Sequence, residues 1–178
     1  MEYKTVDDVY AANIAIREKF KQSFASLTEE QIGARPDGEE WSVAQIVEHV
    51  AVVNGGALRI CSKLLGKSEA AGQTNDGSVS ISNEFLLAGS IASDQKLQAP
   101  EMVRPVNNVP IADSVAKLDE QQAQYTELKE KFVTVDGVKA KFPHPYFGDL
   151  SAQEWLVLSG AHEIRHLKQI RRVLAALR

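Results

Sequence analysis

The sequence predicts an all-α protein, a four-helix bundle with one long crossover between its second and third helices. Three observations predict it. Apolar residues recur at helical spacing in four long segments. Two of these segments open with Ser-x-x-Gln or Ser-x-x-Glu, in which serine and its partner satisfy each other's backbone donors. Residues 67–110 break the periodicity with Gly, Ser and Pro. A length of 178 residues fits a single domain, 1–178, able to bury about 70% of its unfolded surface.

Residues 5–27 form the first predicted helix. Thr5 can cap it with Asp8 three residues on, and Val6, Val9, Tyr10, Ile16, Phe20, Phe24 and Leu27 make its apolar side. One short turn is expected after Thr28. The second helix, 42–66, starts at the Ser42–Gln45 box, with Trp41 and Ile46 placed as a hydrophobic staple. Its stripe is Val43, Ile46, Val47, Val50, Asn54, Ala57, Leu58, Cys61, Leu64 and Leu65, and Gly66 is the expected stop. The polar stretch 67–80 predicts a mobile loop, 84–97 a short helix after Ser82 or Asn83, and 98–110, with three prolines, an extended run lying over the bundle. Asp113 is the expected cap of a third helix, 114–132, with Val115, Leu118, Gln122, Tyr125 and Phe132 on its inner side. A turn segment follows, with a small hairpin of Val135, Val138 and Phe142 about Asp136-Gly137. The last helix, 151–176, has the Ser151–Glu154 box, a Leu150–Trp155 staple, and Lys168, Arg171 and Arg172 towards the negative end of its dipole.

Composition narrows the function. A formal charge of −4 without a basic stripe argues against a nucleic-acid partner. No apolar run approaches the ~18 residues of a membrane span, and MEYKTVDDVY lacks a basic-then-apolar leader pattern. The lone cysteine permits no internal disulfide and no CxxC site. A cytoplasmic protein without a membrane partner is expected.

The histidines carry the chemistry. Unrolled at 100° per residue, Leu158, His162, His166, Ile170, Val173 and Leu177 all fall within about 60° of Trp155. His162 and His166 thus stand one turn apart in the buried stripe, the spacing with which a helix offers two imidazoles to one metal. Spacing alone also fits two independently satisfied core histidines. His49 lies at the edge of the second helix's stripe, beside Val53 and Ile60. From there it can look into the bundle as a third ligand, or sit at the solvent edge. Cys61, about 18 Å further along that helix, reads as a buried hydrophobe. His144 and Tyr146, in the rigid FPHPYFGDLS loop, are candidates for the mouth of a substrate pocket, or surface residues. Asn13 and Gln122 interrupt apolar stripes and are candidates for a polar cavity around the metal, or for backbone partners at a crossing. No catalytic acid or base can be named from spacing.

His162-Glu163-x-x-His166 also matches the H-E-x-x-H of zinc peptidases, with Glu163 as general base. That reading is weakened because the twelve residues after His166 hold no His, Asp or Glu to serve as third ligand.

Three segments, WSVAQIVEHV at 41–50, QAPEMVRP at 98–105 and HPYFGDLSAQEWLVLSGAHEIRHLKQI at 144–170, resemble the DinB/YfiT superfamily of four-helix bundles. The likeness spans nearly the whole chain. It implies an up-down-down-up bundle with the long crossover after the second helix. It implies a site of three histidines, matched by His49, His162 and His166. The Trp–Ser helix start is matched at Trp41 and Ser42, and the HP-x-x-G loop at His144, Pro145 and Gly148. The resemblance further implies nickel or zinc and a homodimer. Some members resemble metal-dependent transferases or isomerases that use low-molecular-weight thiols such as bacillithiol or mycothiol, others metal-dependent hydrolases. The function expected is therefore a divalent-metal enzyme acting on a small electrophile, of thiol S-transferase or hydrolase type. The alternative is a non-catalytic, stress-associated metal-binding bundle.

Overall fold

The helices form where the apolar spacing places them. In order they are α1 (Val6–Gln22), α2 (Glu29–Gly33), α3 (Val43–Ala70), α4 (Asn83–Ser93), α5 (Ile111–Thr134) and α6 (Ala152–Ala176), with strands β1 (Lys141–His144) and β2 (Gly148–Ser151) before the last. The computed structural model describes residues 3–93, 95, 97–106 and 109–177. Positions 94, 96, 107 and 108 of the predicted crossover lie outside them, as do 1, 2 and 178 at the ends. Thr5, Thr28, Ser42 and Ser151 each accept from the N–H three residues on, and Asp8, Gln31, Gln45 and Glu154 return the bond. Each of these helix starts thereby satisfies two orphan donors within its own first turn.

Cross-helix bonds give the directions. Tyr10 donates to the Tyr125 carbonyl and Arg17 to that of Leu118, so α1 and α5 are antiparallel. Asn13 donates to the Leu156 carbonyl and Arg17 to Glu163, so α1 and α6 are parallel. Asn54 donates to Glu163 and Cys61 to the Ala152 carbonyl, so α3 is antiparallel to α6. Gln121 donates to the Ala51 carbonyl and Lys131 pairs with Glu69, so α3 is parallel to α5. The topology is up-down-down-up, and the parallel α3–α5 step is what demands a crossover of bundle length.

Two apolar clusters fill the interior. One gathers Val6, Val9, Leu58, Leu65, Phe132, Leu150 and Leu156; the other gathers Phe20, Ile46, Val50, Leu118, Ile170 and Val173. On α1, α3 and α6 the residues between these clusters include Arg17, Asn54, Glu163, His162 and His166, so the polar layer lies mid-bundle.

Local details differ from the sequence expectation for physical reasons. α1 stops at Gln22, and Phe24 and Leu27 reach the second cluster from the following turns. Gly66 does not stop α3. Its end is a Schellman motif at Gly72, whose φ is +65°; Gly72 N–H donates to the Glu69 carbonyl and Gln73 N–H to that of Ser68. α5 starts after Pro110, which leaves Asp113 inside the first turn instead of at the cap. Asp136 makes no hairpin; its side chain accepts from the Val138 and Lys139 N–H groups in an Asx-type turn. The hairpin is β1–β2, with Phe142 opposite Leu150 and Gly148 at φ +72° closing its turn. The loop expected to be mobile is held on both sides, by Val6 N–H to the Gly77 carbonyl and by Asn75 N–H to that of Thr134. Among the described residues no helix is long and apolar enough to cross a membrane.

Candidate metal centre

α3 and α6 bring three imidazoles together. His49 Nε2 lies 3.2 Å from His162 Nε2, and His166 Nε2 lies 3.1 Å from the same atom. His49 and His166 are buried, with 4% and 6% exposure, whereas His162 keeps part of its surface open. The outward nitrogens fix the tautomers of two rings. His49 Nδ1–H donates to the Val103 carbonyl at 2.7 Å, and His166 Nδ1–H donates to Gln169 Oε1 at 2.8 Å. Both neutral rings therefore present a lone pair at Nε2. Trp41 walls the cluster, its ring 4.8 Å from that of His49 and 6.4 Å from that of His166.

The third ring cannot satisfy the other two. Its single proton, placed on Nε2, bonds one lone pair and leaves the other facing it unpaired. Placed on Nδ1, it points at nothing, since His162 Nδ1 is buried without a partner. Protonating a second nitrogen is opposed by burial, which lowers His49, sends His162 well below 6.5 and lowers His166 to about 3. What this donor set lacks is a cation. Nitrogens about 2.0–2.1 Å from one zinc are about 3.3 Å apart at the tetrahedral angle, close to the 3.2 and 3.1 Å from His162 Nε2 to the other two, and all three lie within 4.8 Å of one another. Three facing Nε2 atoms with at most one proton among them thus fit a divalent ion held by His49, His162 and His166, which would leave the His162 proton on Nδ1.

The crossover completes the surroundings. Its 3₁₀ turn, Glu101–Val103, supplies the carbonyl for His49, and Glu48, the residue before His49, accepts from Val106 N–H at 2.8 Å. Arg165, between the two α6 histidines, donates to the Ala92 and Gln95 carbonyls. Tyr146 donates its hydroxyl to the Gln98 carbonyl. Trp41, Glu48, Val103 and Gln169 were not singled out as site residues from the sequence. Only the H-x-x-x-H-x-x-Q spacing could have pointed to Gln169; a backbone carbonyl leaves no sequence signal.

The other predicted residues divide. His144 packs against Phe147 and Trp155, ring centroids 4.8 and 5.2 Å away. Burial lowers its pKa to about 4, and its Nδ1 accepts from Tyr146 N–H at 3.1 Å. Its proton therefore sits on Nε2, and it is near enough to oppose charge on His162. Asn13 and Gln122 do share a polar cavity, of about 20 Å³, but its lining is Tyr10, Arg17, Tyr125, Ser159, Glu163 and their neighbours, with none of the three histidines. Their expected place around the metal is thus corrected. Cys61 is fully buried and is not part of the histidine cluster. Glu163 is 3% exposed and takes three bonds from Arg17 and one from Asn54, so it is not a free base facing the site.

Residues 14–170 match the family model of the DinB superfamily. The chain belongs to that superfamily. Among relatives, the uncharacterized protein YuaE of Bacillus subtilis (strain 168) is 26% identical over 153 residues, 83% of this chain and 85% of its own length. Two solved structures share the four-helix-bundle fold. YfiT from Bacillus subtilis, described as a probable metal-dependent hydrolase with an unusual four-helix bundle topology, aligns with a TM-score of 0.62 at 17% identity, covering 97% of this chain and 87% of its own. TT2238, a four-helix bundle protein, aligns with a TM-score of 0.58 at 20% identity, covering 94% and 98%.

Proposed function

We propose that this DinB-superfamily chain is a divalent-metal-dependent enzyme acting on a small electrophile, by hydrolysis or by transfer to a low-molecular-weight thiol. The observation that carries the reading is the convergence of three Nε2 atoms that share at most one proton. A nickel or zinc ion held by His49, His162 and His166 would supply Lewis acidity and would lower the pKa of a water or thiol towards neutrality. The chain's own residues do the rest. The Val103 carbonyl and Gln169 fix the orientation of two rings, and Trp41 shuts water out from one side. His144 Nε2–H, at the hairpin next to Tyr146, is the donor we place at the rim to orient a substrate carbonyl or leaving group. YfiT, the probable metal-dependent hydrolase of the same fold, favours the hydrolytic branch. The engagement of Glu163 by Arg17 and Asn54 disfavours a peptidase that needs this carboxylate as base. The same reading includes a homodimer, which the family resemblance implies, and a cytoplasmic location, with which the lone cysteine is in keeping.

The test is a panel of simple esters, amides and thiol-plus-electrophile pairs, run on metal-loaded protein and on His49→Ala and His162→Ala. The reading predicts turnover in one class and its loss in both variants. Fully metal-loaded protein inert towards every class would overturn the enzyme and leave a metal-binding bundle.

A further inference from the structure

Glu163 sits inside the His162–His166 pair, yet its carboxylate serves a different cluster. Its Oε1 accepts from Arg17 Nε at 2.9 Å, from Arg17 Nη2 at 2.6 Å and from Asn54 Nδ2 at 2.7 Å, and its Oε2 accepts from Arg17 Nε at 3.0 Å. Arg17 Nη1 donates onward to the Leu118 carbonyl at 2.6 Å. The carboxylate therefore ties α6 to α1 and α3, Arg17 extends the tie to α5, and all three residues are at most 5% exposed. The apolar residues on either side grip the helices without fixing register finely, because hydrophobic contact is non-directional. Directional bonds in a dry layer do fix it. Two of the joined helices, α3 and α6, are those that carry the histidines. The Asn54–Glu163 bond lies five residues from His49 on one helix and one residue from His162 on the other. A slip of α3 along α6 cannot keep that bond, and would carry His49 Nε2 away from His162 Nε2.

We propose that Glu163, with Arg17 and Asn54, is a positioning residue that sets the α3–α6 register and thereby the spacing of the three metal-binding nitrogens. This rests on the reading of His49, His162 and His166 as metal ligands. The glutamate of this H-E-x-x-H sequence then acts on the metal through the frame, never as a base.

The experiment titrates chelator-stripped full-length protein with Zn²⁺ against a competing chelator, and records the Co²⁺ absorption spectrum, well below the unfolding midpoint of each variant. Glu163→Ala should weaken zinc by about tenfold or more, the range of losses from residues supporting metal ligands, and should alter the Co²⁺ bands. Glu163→Gln, which keeps an acceptor for Arg17 and Asn54, should recover most of the affinity. Removing Glu163 alone also leaves the buried Arg17 charge unpaired. Arg17→Met combined with Glu163→Met removes both charges and should stay weak, since register and not charge is at issue. Asn54→Ala, a milder change, should shift the Co²⁺ spectrum in the same direction if Glu163→Ala does not fold. Wild-type affinity and spectrum in the folded Asn54→Ala and double variants would overturn the proposal while leaving the metal site standing. A wild-type protein that takes up neither ion would overturn both.

Discussion

His162 and Glu163 are neighbours in sequence and belong to clusters with opposite hydrogen-bond balance. Around Glu163, a guanidinium and an amide surround one carboxylate, and both carboxylate oxygens are met. Around His162, three lone-pair nitrogens converge with one proton among them, and Nδ1 is left without a partner. The first cluster lies between the two apolar ones, while His49 of the second stands on α3 among Val47, Val50 and Ala51 of one of them. The difference teaches how to tell a structural polar core from a binding site. In the first the charged groups are matched by protein atoms, and the amide oxygen of Asn54 at its edge is the atom without a partner; in the second the converging nitrogens themselves are unmatched, and only something added can match them.

The largest expected effect comes from breaking the buried ion pair. Arg17→Ala strands a buried carboxylate and should cost about 3–5 kcal/mol of stability, measured by urea unfolding. A change nearer 1 kcal/mol would show that water reaches the pair. Next is completing the incomplete cluster. Zinc at a free concentration about 100 times its Kd should stabilise the wild type by about 2.7 kcal/mol, and should do nothing for His162→Ala in the same thermal or urea assay.

Acid gives a third comparison. His166 is held near 3 in the folded state against 6.5 in the unfolded chain. The unfolded state therefore binds the proton first, and stability is full above 6.5 and declines as pH falls from there towards about 3. In metal-free protein this histidine alone contributes a loss of about 1.4 kcal/mol per pH unit once pH is well below 6.5. Urea midpoints at pH 7.5, 6.0 and 5.0 check it, and a flat profile would mean that the ring is open to solvent. The smallest effect is His162→Leu in metal-free protein. It removes a ring whose buried nitrogen has no partner, so stability should stay within about 1 kcal/mol of wild type. A large loss would place an unseen partner on that nitrogen.

Local chemistry made much of this legible in the sequence. The Thr5, Ser42 and Ser151 boxes appear as read, because a capping box is complete within four residues. The i, i+4 pair His162–His166 followed from helical period, whereas that period put His49 at the edge of its stripe, open to the bundle or to solvent, and the fold turns it inward. Gly66 misled because a glycine stops a helix only where φ turns positive, and that happens at Gly72. The hairpin was misplaced because Asp136-Gly137 and the turn before Gly148 carry similar turn residues; burial of Leu150 opposite Phe142 selected the second. Arg17 and Glu163, 146 residues apart, could not be paired without the fold. Nor could the Val103 carbonyl be assigned to His49, since backbone groups are the same in every residue.

Metal content of natively purified protein, combined with X-ray absorption at the metal edge, bears most directly on the convergence of the three imidazoles. The account predicts one divalent ion per chain with three imidazole nitrogens in its first coordination sphere. Protein that is metal-free after purification without chelator and stays so with added zinc or nickel would contradict it, as would an ion bound by fewer than three histidines.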